Sequence, residues 1–384
     1  MSIDENTIRR RLKEIRKELG LTENDVAQKL GKTYNSYVSR IESGQQKLNI
    51  ELINELASVY NIEPIVLFQE SAQVQNKPKD FFSRAEFRAD PHAQGHVLSD
   101  DTKNRIKVLL PSLRKLGKTL KAIDQPYLQL GDFYAPQKRI NPKSQNEAKK
   151  IGQEAAKAFR IKFDVGFDPI ANIQFFVWYY TKIPVCGIKL DPKCWGFYSK
   201  DNFENPLILY STEHSFKERN VFTIAHELGH HFFNPEEGHA DYNDEEQNKT
   251  FSEAIADGFA QELLVPTNTL NAVFEDKGFN SSLKLKPQHI IDLCNYFNVS
   301  FRMMAYVLYL QKKIKIEEYN YFKNIKKNEL QNLDYPAKDN QLESINIAYY
   351  LYDAVTKALR KGAINKLVAS EILNKTTKEI EELI

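Results

Sequence analysis

His226, Glu227 and His230 fall within one pentapeptide, His-Glu-Leu-Gly-His, inside the apolar stretch from Asn220 to Phe233. Residues four apart share a face of an α-helix, so the two imidazoles can offer nitrogens to a single tetrahedral metal ion. Glu227 is too close in sequence to be the obvious third ligand. Its carboxylate is placed instead to take a proton from a metal-bound water. The competing explanation is a surface helix that carries two histidines by chance, so the pattern gains weight only if a third ligand exists.

Thr250 to Pro266 reads as a helix closed by proline, with Glu253 and Asp257 four apart on one face. That spacing lets Glu253 bind the metal while Asp257 accepts a hydrogen bond from a ligand histidine and fixes its tautomer. Thr250-x-x-Glu253 is equally a capping box, and Asp257 by itself would be an exposed helical acid. The upstream histidine pair tips both toward the metal. His239 stays open as another third ligand, on a polar, acidic stretch (Gly238–Asn248) that reads as a surface loop. A metzincin would carry histidine six residues beyond His230, where this chain has Glu236. His231 points off the metal face and reads as packing or as a contact behind the ligands; with Tyr198 and Tyr242 it is also an unranked candidate to steady an oxyanion. His92 and His96 lie between Pro91 and Gly95 as loop residues, and His214 and His289 have no partner at useful spacing.

Helices and a small sheet must position these groups. Asn146–Phe159 and Pro169–Tyr180 read as helices, and Ile183–Leu190, Trp195–Lys200 and Pro206–Ser211 as short strands rich in branched and aromatic residues. A sheet edge beside the histidine helix would let an extended peptide add as a strand. Asp101–Ile123 has leucines at helical spacing with Pro111 inside, which predicts a kink or break. Pro287–Phe297 and Ser300–Ile314 read as helices, Lys315–Asp339 as a Lys- and Asn-rich connector. The apolar stripes of Leu342–Ile384 read as packing, with room for a partner- or oligomer-binding role.

The N-terminal segment, Thr7 to about Gln69, reads as short helices. Ile8, Leu12, Ile15 and Leu19 mark the first; Thr22 with Asp25 opens the second; Tyr37, Val38 and Ile41 line the third; Leu52, Leu56 and Val59 mark a fourth, Val66 and Phe68 a fifth. Leu21-Thr22 through Ala27 and Val38-Ser-Arg-Ile-Glu-Ser-Gly44 resemble the Xre/lambda-repressor class of helix-turn-helix domains over almost all of Ile8–Phe68. The resemblance implies a third helix in the major groove with Tyr34, Asn35, Ser36, Ser39 and Arg40 as contact residues, and Gln45, Gln46 and Lys47 near phosphates. The turn at Gly31–Asn35 is about one residue longer than usual in that class. Basic and acidic residues are equal in number between Met1 and Gln69, which also suits a protein-docking module. The cluster Arg9-Arg10-Arg11, Lys13, Arg16 and Lys17 is locally basic, or only a solvated helix face.

Phe222-Thr-Ile-Ala-His-Glu-Leu-Gly-His230, preceded by Glu218-Arg219 and followed by Glu253-Ala-Ile-Ala-Asp257 and Leu263-Leu-Val-Pro266, resembles the ImmA/IrrE family of metallopeptidases over about Asn146–Ile314. Xre-type domains are commonly fused ahead of that family, so the two resemblances support each other. The family implies a gluzincin-like site with metal on His226, His230 and Glu253, and Glu227 as general base. Zinc is the expected metal and manganese the other admissible one. Family members cut transcriptional repressors at specific sites, releasing stress-response or mobile-element genes. Asp257 stands where the family often has asparagine.

Composition sets the outer limits. At 384 residues two or three domains are expected, and the net charge of +2 argues against a massively basic nucleic-acid binder and against a disordered acidic chain. Three cysteines without Cys-x-x-Cys spacing, an N-terminus without an apolar signal core, and no apolar stretch longer than Ile173–Tyr180 lead to the expectation of a cytoplasmic protein that uses no membrane. The expected fold class is α+β, mainly α with a small β-sheet. The expected divisions are a helix-turn-helix domain at 1–70, a linker and helical connector at 71–144, a metallopeptidase domain at 145–314, and a connector with a helical C-terminal region at 315–384. The function that follows is site-specific peptide-bond hydrolysis of a repressor by a chain that also binds DNA. The rival reading is a DNA-binding regulator whose C-terminal domain senses a metal, ligand or partner without cleaving anything.

Overall fold

Two units make up the chain, Met1–Lys79 and Asp80–Ile384. The computed structural model describes residues 5–18, 21–32, 36–60, 62, 67, 98–135, 142–192, 194–213, 217–233, 239–242, 250–279, 284–333, 335 and 342–382.

The first unit contains α1 (Glu5–Glu18), α2 (Glu23–Lys29), α3 (Ser36–Glu42) and α4 (Ile50–Tyr60). Ile8, Leu12 and Ile15 repeat at helical spacing along α1 and close over Val26, Val38, Ile41, Leu56 and Tyr60. Leu19, Val66 and Phe68, expected in this core, lie outside the described residues. The expected capping box opens α2: Thr22 Oγ1 accepts from the Asp25 N–H, and the Asp25 carboxylate accepts from the Thr22 N–H. The basic cluster of α1 divides, since Arg9, Arg11 and Arg16 are buried while Arg10, Lys13 and Lys17 are exposed. Arg16 grips Glu42 through Nε and Nη2 at 2.5 and 2.9 Å, and Arg9 donates to the Ile41 carbonyl. Arg9 and Arg16 therefore brace α1 against the end of α3 rather than forming a solvated face.

The second unit begins with α5 (Asp100–Ala122), capped by Ser99, followed by α6 (Gln145–Lys162) and α7 (Ile173–Thr181). No break occurs at Pro111. The ring removes one backbone donor, but Ile106, Leu113, Leu116 and Leu120 are buried on one stripe, and that burial holds the helix through the proline. Next come β1 (Val185–Ile188), β2 (Cys194–Lys200), β3 (Pro206–Ser211), α8 (Lys217–Phe233), β4 (His239–Tyr242), α9 (Phe251–Leu264), α10 (Thr267–Asp276), α11 (Pro287–Phe297) and α12 (Phe301–Leu310). Residues 239–242 of the stretch expected as a loop (Gly238–Asn248) form β4, and the rest of that stretch lies outside the described residues; the His-Ala-Asp-Tyr sequence has no apolar alternation, and pairing with the β2 backbone makes it a strand. The expected connector Lys315–Asp339 likewise holds α13 (Ile316–Lys323) and α14 (Lys327–Gln331), capped through Glu318 and Glu329 and anchored by buried Phe322 and Ile325. The last elements are α15 (Ile347–Arg360), α16 (Lys366–Leu373) and α17 (Thr377–Glu381).

The sheet runs β1-β3-β2-β4, with β1 parallel to β3 and the other two pairs antiparallel. Both faces are buried, which is why Pro206-Leu-Ile-Leu-Tyr is apolar without alternation. Ile208, Tyr210 and Tyr198 face the core that contains α6, α8 and α9; Leu207, Leu209 and Phe197 face a second core formed by α5, α15, α16 and α17. The segment before and within α15 also closes the β1 edge. Tyr350 Oη donates to the Val185 carbonyl at 2.7 Å and Ser344 Oγ to the Gly187 carbonyl at 2.9 Å. Among the described residues no helix is long and apolar enough to cross a membrane.

Candidate metal centre

Helices α6, α8 and α9 pack at backbone distance because small residues lie at their crossings. A Cβ on Gly152 of α6 would sit 2.0 Å from the Ile255 carbonyl oxygen, and one on Gly258 of α9 would sit 2.1 Å from the Lys149 carbonyl oxygen. Gly229, between the two motif histidines, approaches Ala256 of α9 in the same way, 2.9 Å from its Cα to a built Cβ. These contacts set α9 beside α8 at the height where Glu253 meets the histidines.

His226 Nε2 and His230 Nε2 lie 3.0 Å apart, and the two Glu253 carboxylate oxygens lie 3.3 Å from them, one on each. Four ligands at metal distances of about 2.0–2.1 Å stand roughly 3.3 Å apart along the edges of a tetrahedron. The three side chains therefore fit a common metal ion, and among the described residues they form the cluster with ligand atoms all within 4.8 Å of one another. Both imidazoles are buried, whereas the Glu253 side chain is 21% exposed. The two readings of Glu253 coexist: its backbone N–H is capped by Thr250 Oγ1 at 3.3 Å while its carboxylate turns to the histidines.

The same helix supplies neighbours to both rings. Asp257 Oδ1 lies 3.1 Å from His226 Nδ1, on the side of the ring opposite the Nε2 that faces Glu253. Ser252 Oγ lies 3.4 Å from His230 Nδ1. Burial alone would drive the His226 pKa down, but its bonds to Asp257 and Glu253 carry it well above the usual histidine range. Two carboxylates around two imidazoles form a pocket suited to positive charge.

Glu227 is fully buried on the next position of α8. Its carboxylate lies against β2, where a Cβ on Gly196 would come within 2.8 Å of Glu227 Oε1 and 2.3 Å of Thr223 Cγ2. Sequence reasoning passed over Gly196, although a glycine inside an aromatic strand is a signal of close approach.

Other expected residues separate from this cluster. Tyr198 Oη bonds His231 Nδ1 at 3.0 Å, and His231 Nε2 donates to the Leu128 carbonyl at 2.8 Å, both rings being buried. Burial pushes the His231 pKa down to about 4, so the ring is neutral, accepting at Nδ1 and donating at Nε2. Two of the three candidates for oxyanion support, Tyr198 and His231, are thus engaged in joining β2 to the 128 segment. The side chains of Tyr242 and of His239, the alternative ligand, lie outside the described residues, as do His92, His96 and His214. His289 accepts from the Lys286 N–H and packs on Phe279, a structural role. In the first unit Ser36, Ser39 and Arg40 lie on the exposed face of α3 opposite buried Val38 and Ile41; Tyr34 and Asn35 lie outside the described residues.

Comparison with known families agrees with both halves of this picture. Residues 12–67 match the family described as Helix-turn-helix, and residues 183–309 match the family described as IrrE N-terminal-like domain. No curated protein matches the chain. The second match spans the sheet, α8 and α9, and so includes every side chain of the candidate centre. The chain therefore joins an Xre-type helix-turn-helix DNA-binding domain to an IrrE/ImmA-like domain of the metallopeptidase type.

Proposed function

We propose that the chain is a metal-dependent, site-specific endopeptidase that cuts a transcriptional repressor, with zinc, or else manganese, on His226, His230 and Glu253. The observation that carries this reading is the convergence of those three side chains at tetrahedral-edge distances, with the Glu227 carboxylate on the adjacent position of α8. A divalent ion in that gluzincin-like site supplies Lewis acidity, which acidifies water and polarises a carbonyl. Glu227 takes the proton from the attacking water and returns it to the leaving amine. Its burial against Gly196 favours this exchange by keeping bulk water from competing. Asp257 holds His226 in the tautomer that leaves Nε2 free to ligate.

In this reading residues 1–70 bind DNA through Ser36, Ser39 and Arg40 together with Tyr34 and Asn35, and residues 145–314 carry the peptidase. Within 71–144, α5 packs with α15, α16 and α17 of 315–384 on the outer face of the sheet and so completes the peptidase fold. A DNA-binding domain in the same chain supports a substrate that itself sits on DNA, and the activity would switch on genes the repressor silences. Three buried free cysteines are in keeping with a cytoplasmic setting.

Elemental analysis of wild type beside His226→Ala and Glu253→Ala tests the site, with about one zinc or manganese per chain expected only in wild type. Glu227→Gln should keep the metal and lose turnover. A wild-type chain that binds no metal after reconstitution, or a Glu227→Gln variant that regulates as wild type does, would return the chain to the non-proteolytic regulator; a Glu227→Gln variant that cleaves at the native rate would remove Glu227 as the base.

A further inference from the structure

We propose that the C-terminal half of α5 is a second nucleic-acid contact, in which Arg114, Lys118 and Lys121 grip duplex phosphates without reading sequence; this rests on the DNA-binding reading of the first unit. Seven basic residues and no acid lie between Lys103 and Lys121, with Asp100 and Asp101 confined to the first turn and Asp124 two residues past the helix. A helix face that is merely solvated interleaves both signs. Arg114, Lys118 and Lys121 are spaced i, i+4, i+7 and share one stripe, away from the buried stripe of Ile106, Leu113, Leu116 and Leu120. Lys118 and Lys121 are exposed and Arg114 is half-buried. The three span about 10 Å of helix, and one DNA strand carries a phosphate per about 3.4 Å of its axis, so each side chain has a phosphate within reach.

The fold fixes these charges in place. A Cβ on Gly117 would sit 1.8 Å from Asn205 Oδ1, so the glycine lets the turn between β2 and β3 close on α5. That approach sets Phe203 against Arg114, with 5.1 Å from the guanidinium carbon to the ring centroid. The ring braces one face of the plane, while the N–H donors radiate within it, where two phosphate oxygens can be engaged at once. Among the described residues no carboxylate pairs with Arg114, Lys118 or Lys121. Two further lysines add to the field. Lys115 Nζ donates to the Ile372 carbonyl at 2.9 Å and Lys361 Nζ to the Ile123 carbonyl at 3.2 Å, acceptors that leave both charges uncompensated.

The first unit lacks such a surplus. Its basic and acidic residues are equal in number, and Arg9, Arg11 and Arg16 are turned to Glu5, Glu14 and Glu42. Neutralised phosphates supply nearly all sequence-independent affinity, so a chain that reads DNA with a charge-balanced domain gains from cations placed elsewhere. A helix-turn-helix domain in the same chain makes duplex DNA, rather than a lipid surface, the polyanion that α5 meets. Once the first unit is on a duplex, the second contact is intramolecular.

The experiment measures binding of the full-length chain to a fluorescent random-sequence duplex, by anisotropy, from about 50 to 200 mM salt. Each lost phosphate contact lowers the slope of log affinity against log salt by about 0.9, so Arg114→Gln/Lys118→Gln/Lys121→Gln should lower it by about 2.7. Across that range wild type should lose about 40-fold more affinity than the variant. Lys150→Gln/Lys162→Gln/Lys378→Gln, which removes the same charge from exposed positions elsewhere on the second unit, should keep the wild-type slope. If loss of the Phe203 stack unfolds the first variant, Lys118→Gln/Lys121→Gln should still lower the slope by about 1.8. An unchanged slope in the folded α5 variant, or an equal fall in the control, overturns the inference while wild-type duplex binding leaves the first unit's reading standing. Variants that keep duplex binding but lose binding to phosphatidylserine vesicles would assign the face to a lipid surface and overturn it as well. Wild type that binds no duplex at the lowest salt overturns the DNA-binding reading and the inference with it.

Discussion

Gly196 and Glu227 touch across the β2–α8 interface so closely that a methyl group on the glycine would lie 2.8 Å from the carboxylate oxygen. The same methyl would lie 2.3 Å from Thr223 Cγ2, so neither neighbour can yield freely. Gly196→Ala should therefore displace the Glu227 carboxylate, the proposed general base, without touching His226, His230 or Glu253. A misplacement of about 1 Å corresponds to roughly 100-fold in rate. We expect kcat to fall by that order with metal content unchanged; full activity in the variant would show that Glu227 is not held by this strand.

Asp257 tests the orientation of His226. Asp257→Asn can still accept the Nδ1–H through its amide oxygen, whereas Asp257→Ala leaves the ring unanchored. Loss of such an outer partner weakens metal affinity by about 10–100-fold. Competition with a chromophoric chelator should rank wild type and Asp257→Asn above Asp257→Ala. Equal affinity for all three would remove Asp257 from the centre.

Tyr198 and His231 give the opposite expectation. Because Tyr198 Oη is engaged with a buried neutral imidazole, Tyr198→Phe should cost about 1–3 kcal/mol of stability by orphaning Nδ1. Turnover at a temperature where the variant is folded should stay within about twofold of wild type. A folded variant slowed by two or more orders of magnitude would restore Tyr198 as oxyanion support.

Asp191 links the start of α5 to the segment after β1. Burial raises its carboxyl pKa, but hydrogen bonds from the Ser99 and Thr102 hydroxyls and the Ser99 N–H outweigh this and leave it below the ordinary carboxylate value. A depressed folded-state pKa contributes stability above the ordinary value and loses it as pH falls through the folded one. Asp191→Asn should lower Tm at pH 7, and its gap from wild type should close as pH is taken below about 4. A gap independent of pH would exclude the ionised form as the source.

In the first unit, stability and DNA contact should separate. Arg16→Ala leaves the buried Glu42 carboxylate without its guanidinium and should cost about 3–5 kcal/mol. Arg40→Ala, on the exposed face of α3, should leave Tm unchanged and reduce the salt slope of binding to random-sequence duplex by about one. Unchanged DNA affinity and slope in Arg40→Ala would favour a docking role for this domain.

Local pattern made the cluster legible: His226, Glu227, His230, Glu253 and Asp257 are two short helical spacings, and the structure brings His226, His230, Glu253 and Asp257 together, with the Glu227 carboxylate turned against Gly196. The helices that carry them were readable from periodicity and capping, as Thr22–Asp25 and Thr250–Glu253 illustrate. What escaped depends on partners distant in sequence. β4 is a strand because β2 supplies its hydrogen bonds, α5 passes Pro111 because a core holds it, and Arg9 and Arg16 are buried because α3 docks on them. Tyr198 and His231 looked available for chemistry until the Leu128 carbonyl, about a hundred residues earlier, was found at the imidazole.

The capping of β1 by Tyr350 and Ser344 has a consequence for biosynthesis. Those partners follow β1 by 165 and 157 residues, and the rest of the second core arrives with α16 and α17. As the chain leaves the ribosome, α5 alone can shelter the outer face of the sheet, and the β1 edge stays bare until residues near 350 emerge. A bare strand edge is a template for other chains, so translation that stalls between α9 and α15 should yield a nascent chain that needs chaperone cover although every side chain of the candidate metal centre has already been made.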